Sequence, residues 1–474
     1  MVNQLPVVVV GAGPIGLAAA AELRERGLNP LVFERGATAG AAVGEWNHVR
    51  LFSRWAELIA PAARRLLERS GWAAPAGNTY PTGREWVNDY LMPLAKALGE
   101  DVVVLDTEVV GVARRGRDRV VNAGRDSEPL SVHLRYGDGS EDRVLARAVI
   151  DASGTWGAPN PLGGEGLPAL GETAAAAVID YRVPDLDDDT VRARYAGKHT
   201  TIAGSGHSAL TAIIALAEVA KNEPGTRLTW VLRRGEVGST FGGGEADQLP
   251  ARGALGRRAE QALDAGLLTV VTGFRTAAIE STGNGRHALV SDAGRRIEDV
   301  DRVVVLTGFR PELAWLSEIR LGLDPVLQAP VELAPLIDPN VHSCGTVYPH
   351  GVRELSHPEP DVFLAGMKSY GRAPTFLAMT GYEQVRSLAA ALAGDNEAAE
   401  RVELVLPDTG VCGGAGVFDE ATAEKTAEAR EAADAATAAG NGGGCCGGAA
   451  TAPQVVSLTT PTALQQLPLT VPAR

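Results

Sequence analysis

Cysteine is scarce in this sequence, with 4 cysteines among 474 residues, and Cys445 and Cys446 are adjacent within a glycine cluster. Secreted domains that depend on disulfides carry many more cysteines, at paired spacings. The scarcity therefore excludes a disulfide framework. It favours a reducing compartment, so we expect a cytoplasmic protein.

Positive charge and long apolar runs are also in short supply. The 44 Lys and Arg residues are outnumbered by 58 Asp and Glu residues, which gives a net charge of −14. This balance argues against nucleic acid or an anionic membrane as a partner. The apolar run at 7–21 is interrupted by glycine and is too short to cross a bilayer. We therefore expect a globular protein of two or more domains, with no nucleic-acid or membrane partner.

The start of the chain has the pattern of a dinucleotide-binding unit. Val7–Val10 is a β-branched run without alternation, which is typical of a buried parallel strand. A G-x-G-x-x-G turn, a helix and a second strand ending in Glu34 follow. In this pattern the glycines admit a pyrophosphate to the backbone and the acid binds the ribose hydroxyls. The predicted cofactor contacts are Gly11, Gly13, Pro14, Gly16, Glu34 and Arg35.

A second unit of this kind occurs near residue 200, with a different ending. A strand at 200–203 leads into a G-x-G-x-x-A turn, and the next strand ends in Arg233 and Arg234 instead of an acid. Arginine binds a ribose 2′-phosphate, which favours NADPH. A solvated strand end is the alternative, and Glu236 nearby weakens the preference. The predicted contacts are Gly204, Ser205, Gly206, His207, Ser208, Ala209, Arg233 and Arg234.

Two turns with opposite charges at the strand end indicate two different dinucleotides. The simplest assignment is FAD on the first turn and NADPH on the second. The chemistry that unites these two cofactors is hydride transfer from nicotinamide to flavin.

Three later segments carry a resemblance to a known family. They are VIDASGTWGAPNP (149–161), DRVVVLTGFRPEL (301–313) and the stretch 359–395. With both glycine turns, residues 5–395 resemble the flavoproteins with two dinucleotide-binding domains, and more narrowly the flavin-containing monooxygenases and their bacterial relatives. The F-x-G-x-x-x-H motif of those monooxygenases is missing from 177–199, so their substrates do not transfer to this chain.

The resemblance implies an α/β fold with two Rossmann-like domains. The FAD domain is discontinuous, at 1–175 and 313–396, and the NADPH domain at 176–312 is inserted into it. A cysteine-containing extension at 397–474 follows, and we expect most of it to be disordered.

The resemblance also implies further contacts to FAD. Where the family usually has Gly-Asp after its last flavin strand, this chain has Gly366 and Met367, which puts an acidic contact in doubt. Trp46 belongs to a stretch that runs along the flavin in relatives, although a packing role fits it equally well. The additional candidates are Trp46, Arg50, Ser53, Ser153, Gly154, Thr307, Gly308, Gly366 and Met367.

Four residues are candidates for catalysis. Lys368, Tyr370 and Arg372 follow the last flavin strand and could stabilise negative charge that develops on the reduced cofactor. A purely structural loop is the alternative. Arg252 lies in the glycine-interrupted stretch 241–258, for which we expect a loop facing the cleft and binding NADPH or an anionic substrate, or else a plain surface loop.

The thiols suggest a further binding site. Disulfide-reducing flavoenzymes of this fold carry C-x-x-C or C-x-x-x-x-C against the flavin, and neither pair occurs here. Cys412, Cys445 and Cys446 instead fall in the extension, where they suit a soft metal or a trivalent metalloid. Incidental cysteines are the alternative. Segments such as KSYGRAPTFLAMTGYEQVRS (368–387) also resemble, more distantly, flavoprotein oxidoreductases of bacterial arsenic resistance.

The favoured function is an NADPH- and FAD-dependent monooxygenase that oxidises a soft nucleophile, either a trivalent arsenical or a sulfur compound. One alternative is a reductase that passes electrons to the C-terminal dithiol and then to a metal or disulfide. Another is a non-catalytic metalloid- or redox-sensing flavoprotein. The expected partner is a small molecule, with a thiophilic metalloid and a homodimer under consideration.

Overall fold

The computed structural model describes residues 4–242, 250–341, 350–374 and 376–404, which lie within one compact unit. The strands are β1 (Val7–Val10), β2 (Pro30–Phe33), β3 (Val103–Val104), β4 (Thr107–Arg114), β5 (Leu130–Tyr136), β6 (Glu141–Ala146), β7 (Ala148–Asp151), β8 (Ile179–Asp180), β9 (His199–Ala203), β10 (Arg227–Val231), β11 (Thr269–Val271), β12 (Thr276–Gly283), β13 (Arg286–Ser291), β14 (Arg296–Val300), β15 (Arg302–Val305) and β16 (Val362–Leu364). The helices are α1 (Pro14–Glu25), α2 (Ala41–Gly44), α3 (Trp55–Leu58), α4 (Pro61–Arg69), α5 (Gly83–Trp86), α6 (Met92–Leu98), α7 (Asp189–Arg192), α8 (His207–Asn222), α9 (Pro250–Asp264), α10 (Ala334–Ile337), α11 (Val352–Leu355), α12 (Ala378–Leu392) and α13 (Asn396–Glu400).

The first parallel sheet has the strand order β16-β7-β1-β2-β3. Its central strand is valine throughout because both faces are covered. Val7 and Val9 point into the core that contains α1 and α12. Val8 and Val10 point into a second core, formed with the small antiparallel sheet β4-β5-β6. The unbroken apolar run follows from this double burial.

The second parallel sheet has the order β11-β10-β9-β15-β8 and is built on the same plan. Ile202, Trp230 and Val304 pack against α8 and α9 on one face. Val231 and Val305 pack on the other face, against the antiparallel sheet β12-β13-β14. The predicted α/β class with parallel sheets is thereby confirmed. The domain boundaries stay a prediction.

The chain passes between the two sheets along two segments, which follow β7 and β15. These segments are hydrogen-bonded to each other through Asn160, whose amide donates to the Gly308 carbonyl at 2.9 Å and whose side chain donates to the Thr307 carbonyl at 2.8 Å. The Arg310 guanidinium donates back to the Asn160 side-chain oxygen at 2.6 Å. These hydrogen bonds hold the two connecting segments together at Asn160.

Two findings bear on the predicted absence of a membrane partner and on the predicted C-terminal extension. Within the described ranges, no helix combines the length and apolarity that crossing a bilayer requires. The first residues of the predicted extension form α13, whose Ala398 and Ala399 pack against Ala390 of α12. Cys412, Cys445 and Cys446 lie outside the described residues.

The prediction of a loop at 241–258 is wrong from residue 250 onward. Pro250 opens α9, at a helix position where a missing N–H costs nothing. The alanines, leucine and arginines that follow are good helix formers, and Gly256 allows a close approach. A Cβ atom there would lie 1.8 Å from the carbonyl oxygen of Phe241. The glycine therefore serves packing.

We predict that Gly256→Ala destabilises the protein by about 1–3 kcal/mol, the usual cost of overpacking. Gly44→Ala is the matched control, since a Cβ at this helical glycine would have no neighbour within 4 Å. That control should stabilise by about 0.5–1 kcal/mol. Thermal and urea unfolding measure both, and equal effects of the two substitutions would contradict the packing role.

Candidate dinucleotide-binding sites

In the first glycine turn, residues 11–16, Gly11 and Gly16 pack against neighbouring backbone, whereas Gly13 borders open space. Gly11 has φ +97°, and a Cβ on it would lie 3.0 Å from the Ala152 oxygen. A Cβ on Gly16 would lie 1.9 Å from the Gly11 oxygen, which accounts for the close packing of α1 on β1. A Cβ on Gly13 would meet nothing within 4 Å. Open space therefore adjoins the first backbone amides of α1, where Pro14 occupies the initial turn.

The carboxylate of Glu34 lies at this turn. Its Oε2 accepts a hydrogen bond from the Ala12 amide at 2.7 Å, and its Oε1 accepts one from the Gly36 amide at 2.8 Å. The half-buried acid thus follows the end of β2 and is hydrogen-bonded to the turn through Ala12. Arg35 is exposed beside Gly157. A bare glycine opening, a helix N-terminus and an adjacent carboxylate fit the pyrophosphate and ribose of FAD.

A buried ion pair lies behind the same turn. Nζ of Lys368 is 2.7 Å from Oδ2 of Asp151, and these side chains are 1% and 0% exposed. The ammonium also donates to the Ser153 hydroxyl at 3.0 Å and lies 5.0 Å from the centre of the Trp315 ring. Lys368 is therefore placed at the predicted flavin edge, but inside the protein.

The residues that follow β16 are hydrogen-bonded to Gln384 of α12. Gly366 has φ +69°, and its amide donates to Oε1 of Gln384 at 2.8 Å. The Gln384 amide nitrogen lies 2.8 Å from Nε2 of His350 and donates to the Ser369 hydroxyl at 2.9 Å. Met367 is half-buried at the same turn.

The three catalytic candidates in this segment do not meet in one open site. Tyr370 is 3% exposed and packs against the rings of His350 and Phe376 at 5.6 and 5.0 Å. Arg372 is exposed and donates to the Gln328 side chain at 2.9 Å. In the short 3₁₀ helix Gly366–Tyr370, the side chains of Lys368 and Tyr370 point in different directions, and Arg372 lies beyond the helix.

The second glycine turn, residues 204–209, repeats the geometry of the first. Gly204 has φ +136°, and a Cβ there would lie 2.2 Å from the Leu306 oxygen. A Cβ on Gly206 would meet nothing within 4 Å. Trp230 holds the turn in place, because its indole N–H donates to the Gly204 carbonyl at 2.8 Å. Ser205 is half-buried, Ser208 is exposed and Ala209 is buried at the start of α8.

Arg233 and Arg234 lie just beyond the carboxyl end of β10, which is next to the strand that leads into this turn. One guanidinium nitrogen of Arg233 donates to the Gly164 carbonyl at 3.3 Å. Desolvation lowers the pKa of Arg233, and the neighbouring Arg234 cation lowers it further. A bound phosphate would offset both effects, which fits a 2′-phosphorylated ribose.

The segment 45–55, which contains the predicted FAD contacts Trp46, Arg50 and Ser53, contacts its neighbours on two sides. Trp46 packs on Gly83, where a Cβ would come within 2.9 Å of the indole, and Arg50 lies 3.7 Å from Glu85. Ser53 is half-buried in the loop. Next to it, the Phe52 ring lies 5.1 Å from the ring of His207, the first residue of α8. The loop therefore reaches the second glycine turn.

Arg252 stands apart from these groups. It is 4% exposed on the buried side of α9, so it lies in neither of the two expected loops, and its role in binding stays a prediction. The three predicted metal-binding cysteines fall outside the described residues. Within the part of the chain that the structure describes, no cluster of three or more His, Cys, Asp or Glu could hold a metal.

Sequence reasoning passed over Asp151, Phe52 and Asn160. Asp151 carried a signal, since a charged residue at the end of an otherwise apolar strand needs a buried partner. Phe52 and Asn160 carried none, because their contacts depend on how the two sheets are arranged. Thr307 and Gly308, which were predicted as FAD contacts, lie at the crossing point with Asn160.

Comparisons with known proteins agree with this architecture. The family model for pyridine nucleotide-disulphide oxidoreductases matches residues 5–345. A ferredoxin–NADP reductase of Ignicoccus hospitalis is 24% identical over 320 residues, covering 66% of this chain and 81% of that protein. Two solved structures share the fold. A bacillithiol disulfide reductase from Bacillus cereus has 19% identity and a TM-score of 0.60, covering 82% of this chain and 99% of its own. A flavin-containing monooxygenase from Stenotrophomonas maltophilia has 22% identity and a TM-score of 0.52, covering 82% and 98%.

We predict that Gly13→Ala and Gly206→Ala each weaken one dinucleotide and spare the fold. The added methyl group occupies the open space above its turn and so meets the pyrophosphate. Gly13→Ala should lower FAD content at least about tenfold, the equivalent of 1.4 kcal/mol. Gly206→Ala should retain FAD while NADPH binding falls to a similar degree. FAD absorbance and NADPH calorimetry measure the two effects, and loss of both ligands in both variants would contradict separate sites.

Proposed function

The chain belongs to the pyridine nucleotide-disulphide oxidoreductase family, and we propose that it transfers hydride from NADPH to FAD, whose two electrons then pass directly to an acceptor outside the protein core. The family confirms the flavoprotein resemblance predicted from the sequence. The matched proteins do not bear on arsenic chemistry, and the identity of the acceptor is part of the proposal.

FAD is proposed for the first glycine turn. Gly13 leaves space for a pyrophosphate, and the Glu34 carboxylate is held beside it to accept hydrogen bonds from ribose hydroxyls. When bound there, FAD supplies two-electron chemistry that no side chain provides. The protein contributes the binding geometry and the fixed charges around it.

NADPH is proposed for the second turn. Gly206 leaves the same kind of space, and Arg233 and Arg234 stand where an acid would bind the unphosphorylated ribose of NADH. The similarity to a ferredoxin–NADP reductase supports this preference. The pair of turns with opposite charges is the observation that carries the proposal.

The route of electrons out of the flavin is inferred from the cysteines. Of the 4 cysteines, only Cys445 and Cys446 are close in sequence, and no C-x-x-C pair exists. We therefore do not propose that electrons pass from the flavin to a dithiol within the flavin domain. Dioxygen or a bound substrate remains as the direct acceptor.

We favour a monooxygenase that acts on a soft nucleophile, a trivalent arsenical or a sulfur compound. NADPH, a proton, dioxygen and the substrate would yield NADP⁺, water and the oxygenated substrate. The fold shared with a flavin-containing monooxygenase supports the scheme. The thiols of Cys412, Cys445 and Cys446 would capture a thiophilic substrate.

A second candidate is a reductase that uses the adjacent Cys445 and Cys446 as its acceptor dithiol and passes electrons on to a metal or disulfide. The chemistry of vicinal thiols favours this candidate. The fold shared with a disulfide reductase is compatible with it. A sensor that binds a metalloid without turnover would use the same thiols.

We predict that Arg233→Ala/Arg234→Ala lowers kcat/KM for NADPH and spares NADH. A hydrogen bond to a charged group contributes about 1.5–3 kcal/mol, so the preference for NADPH should fall at least about tenfold per arginine. Arg227→Ala, at the opposite end of β10, is the matched control. Steady-state kinetics with both nucleotides measure the preference. Equal losses with NADH would show that the arginines do not bind the 2′-phosphate.

We predict that the reduced flavin is reoxidised by dioxygen and that arsenite, methylarsenite or an organic sulfide increases NADPH consumption. Stopped-flow absorbance and steady-state NADPH oxidation measure the two effects. If none of these substrates changes either rate, this substrate class is excluded.

Cys445→Ser/Cys446→Ser distinguishes the two candidates. The monooxygenase keeps its reaction with dioxygen and changes only in KM for the thiophilic substrate. The reductase loses turnover while NADPH still bleaches the flavin.

A further inference from the structure

The Lys368–Asp151 ion pair is placed where a buried charge can affect a cofactor. Asp151 ends β7 and Lys368 follows β16, so both lie at the carboxyl edge of the first parallel sheet. The strand order changes direction at β1 and β7. Ligands of open α/β sheets bind at that edge and at that change of direction.

The pair extends to the surface through one hydroxyl group. Ser153 is exposed, whereas Lys368 and Asp151 are 1% and 0% exposed. Its hydroxyl donates to Oδ1 of Asp151 at 2.6 Å and accepts from Nζ of Lys368 at 3.0 Å. The Ser153 amide donates to the same carboxylate oxygen at 3.0 Å. The hydroxyl is therefore fixed at the face of the site.

The backbone beside this hydroxyl is open to a ligand. Gly154 has φ +70°, and a Cβ there would meet nothing within 4 Å. The other side of the turn is closed, because a Cβ on Gly11 would lie 3.0 Å from both the Ala152 oxygen and the Ser153 Cα. A shift of the Asp151–Gly154 turn would thus move the floor of the first glycine turn.

We propose that Lys368 and Asp151 are positioning residues for FAD: the pair holds the Ser153 hydroxyl and the 151–154 turn against the cofactor, and its charge balance tunes the flavin potential. The inference rests on the proposed FAD site. It revises the role predicted for Lys368, whose ammonium acts through Asp151 and Ser153.

A second buried ionic cluster, at the other end of β16, provides a matched control. Glu359 lies before the start of β16, at the edge opposite Lys368. Its carboxylate lies 2.8 Å from Arg114 and 2.7 Å from Arg125, and all three side chains are at most 2% exposed. Glu359→Gln therefore disturbs a buried carboxylate of equal depth, away from the cofactor edge.

The test measures the flavin midpoint potential and the FAD dissociation constant of reconstituted enzyme. Lys368→Met leaves a carboxylate, which disfavours the electron-rich reduced flavin, so the potential should fall. Asp151→Asn leaves an ammonium, so the potential should rise. Each shift should reach about 30 mV, which corresponds to a tenfold difference between the affinities for reduced and oxidised FAD. Glu359→Gln should lower the melting temperature and leave the potential unchanged.

An apolar double variant keeps the test decisive if the single variants fail to fold. Asp151→Leu/Lys368→Met removes both charges together, which buried pairs commonly tolerate. Ser153 then loses both of its partners, so FAD should bind at least about tenfold more weakly, with a potential near that of the wild type. Wild-type FAD affinity in the double variant, or single-variant shifts that are absent or of the same sign, would overturn the inference. Failure of the wild-type protein to bind FAD would instead refute the proposed function.

Discussion

Contact between backbones at the two glycine turns is the constraint on which the rest of this structure depends. Gly16 against Gly11, and Gly204 against Leu306, bring chain segments so close that a Cβ would lie within 1.9 and 2.2 Å of a carbonyl oxygen. These contacts set the first turns of α1 and α8 at the carboxyl ends of their sheets. The same turns leave Gly13 and Gly206 open. A dinucleotide site in this fold requires both features, namely close packing of the helix on the strand and an open backbone that the pyrophosphate can approach.

The charges around the turns then differentiate the two sites. Glu34 is tied to the first turn through the Ala12 amide, whereas Arg233 and Arg234 follow β10, the strand next to the one that leads into the second turn. Behind the first turn, Lys368 and Asp151 bring a neutral pair of charges to the cofactor edge without exposing either group. The Asn160 crossing ties the segments that join the two sheets, and Phe52 extends from the flavin side to His207. Fixed spacing between the sites is a condition for hydride transfer.

Local pattern determined what could be predicted from the sequence. Strand, glycines and acid lie within Val7–Glu34, so their arrangement depends only on near neighbours, and the predicted fold class is confirmed. The Lys368–Ser153 bond spans 215 positions and depends on the strand order, which no local pattern contains. Arg252 was misplaced because the glycines of 242–244 outweighed the helix-forming residues that follow them. Tyr370 is separated from Lys368 by the geometry of a 3₁₀ helix that no pattern in the sequence indicates, and Arg372 lies beyond that helix.

We propose that one chain holds FAD and NADPH on separate turns and passes hydride from NADPH to FAD. Anaerobic titration of the purified protein with NADPH tests it directly, with flavin absorbance as the readout. We expect a yellow protein whose flavin is bleached by one NADPH per FAD, and much more slowly by NADH. A protein that binds no flavin, or whose bound flavin NADPH leaves oxidised, would contradict it.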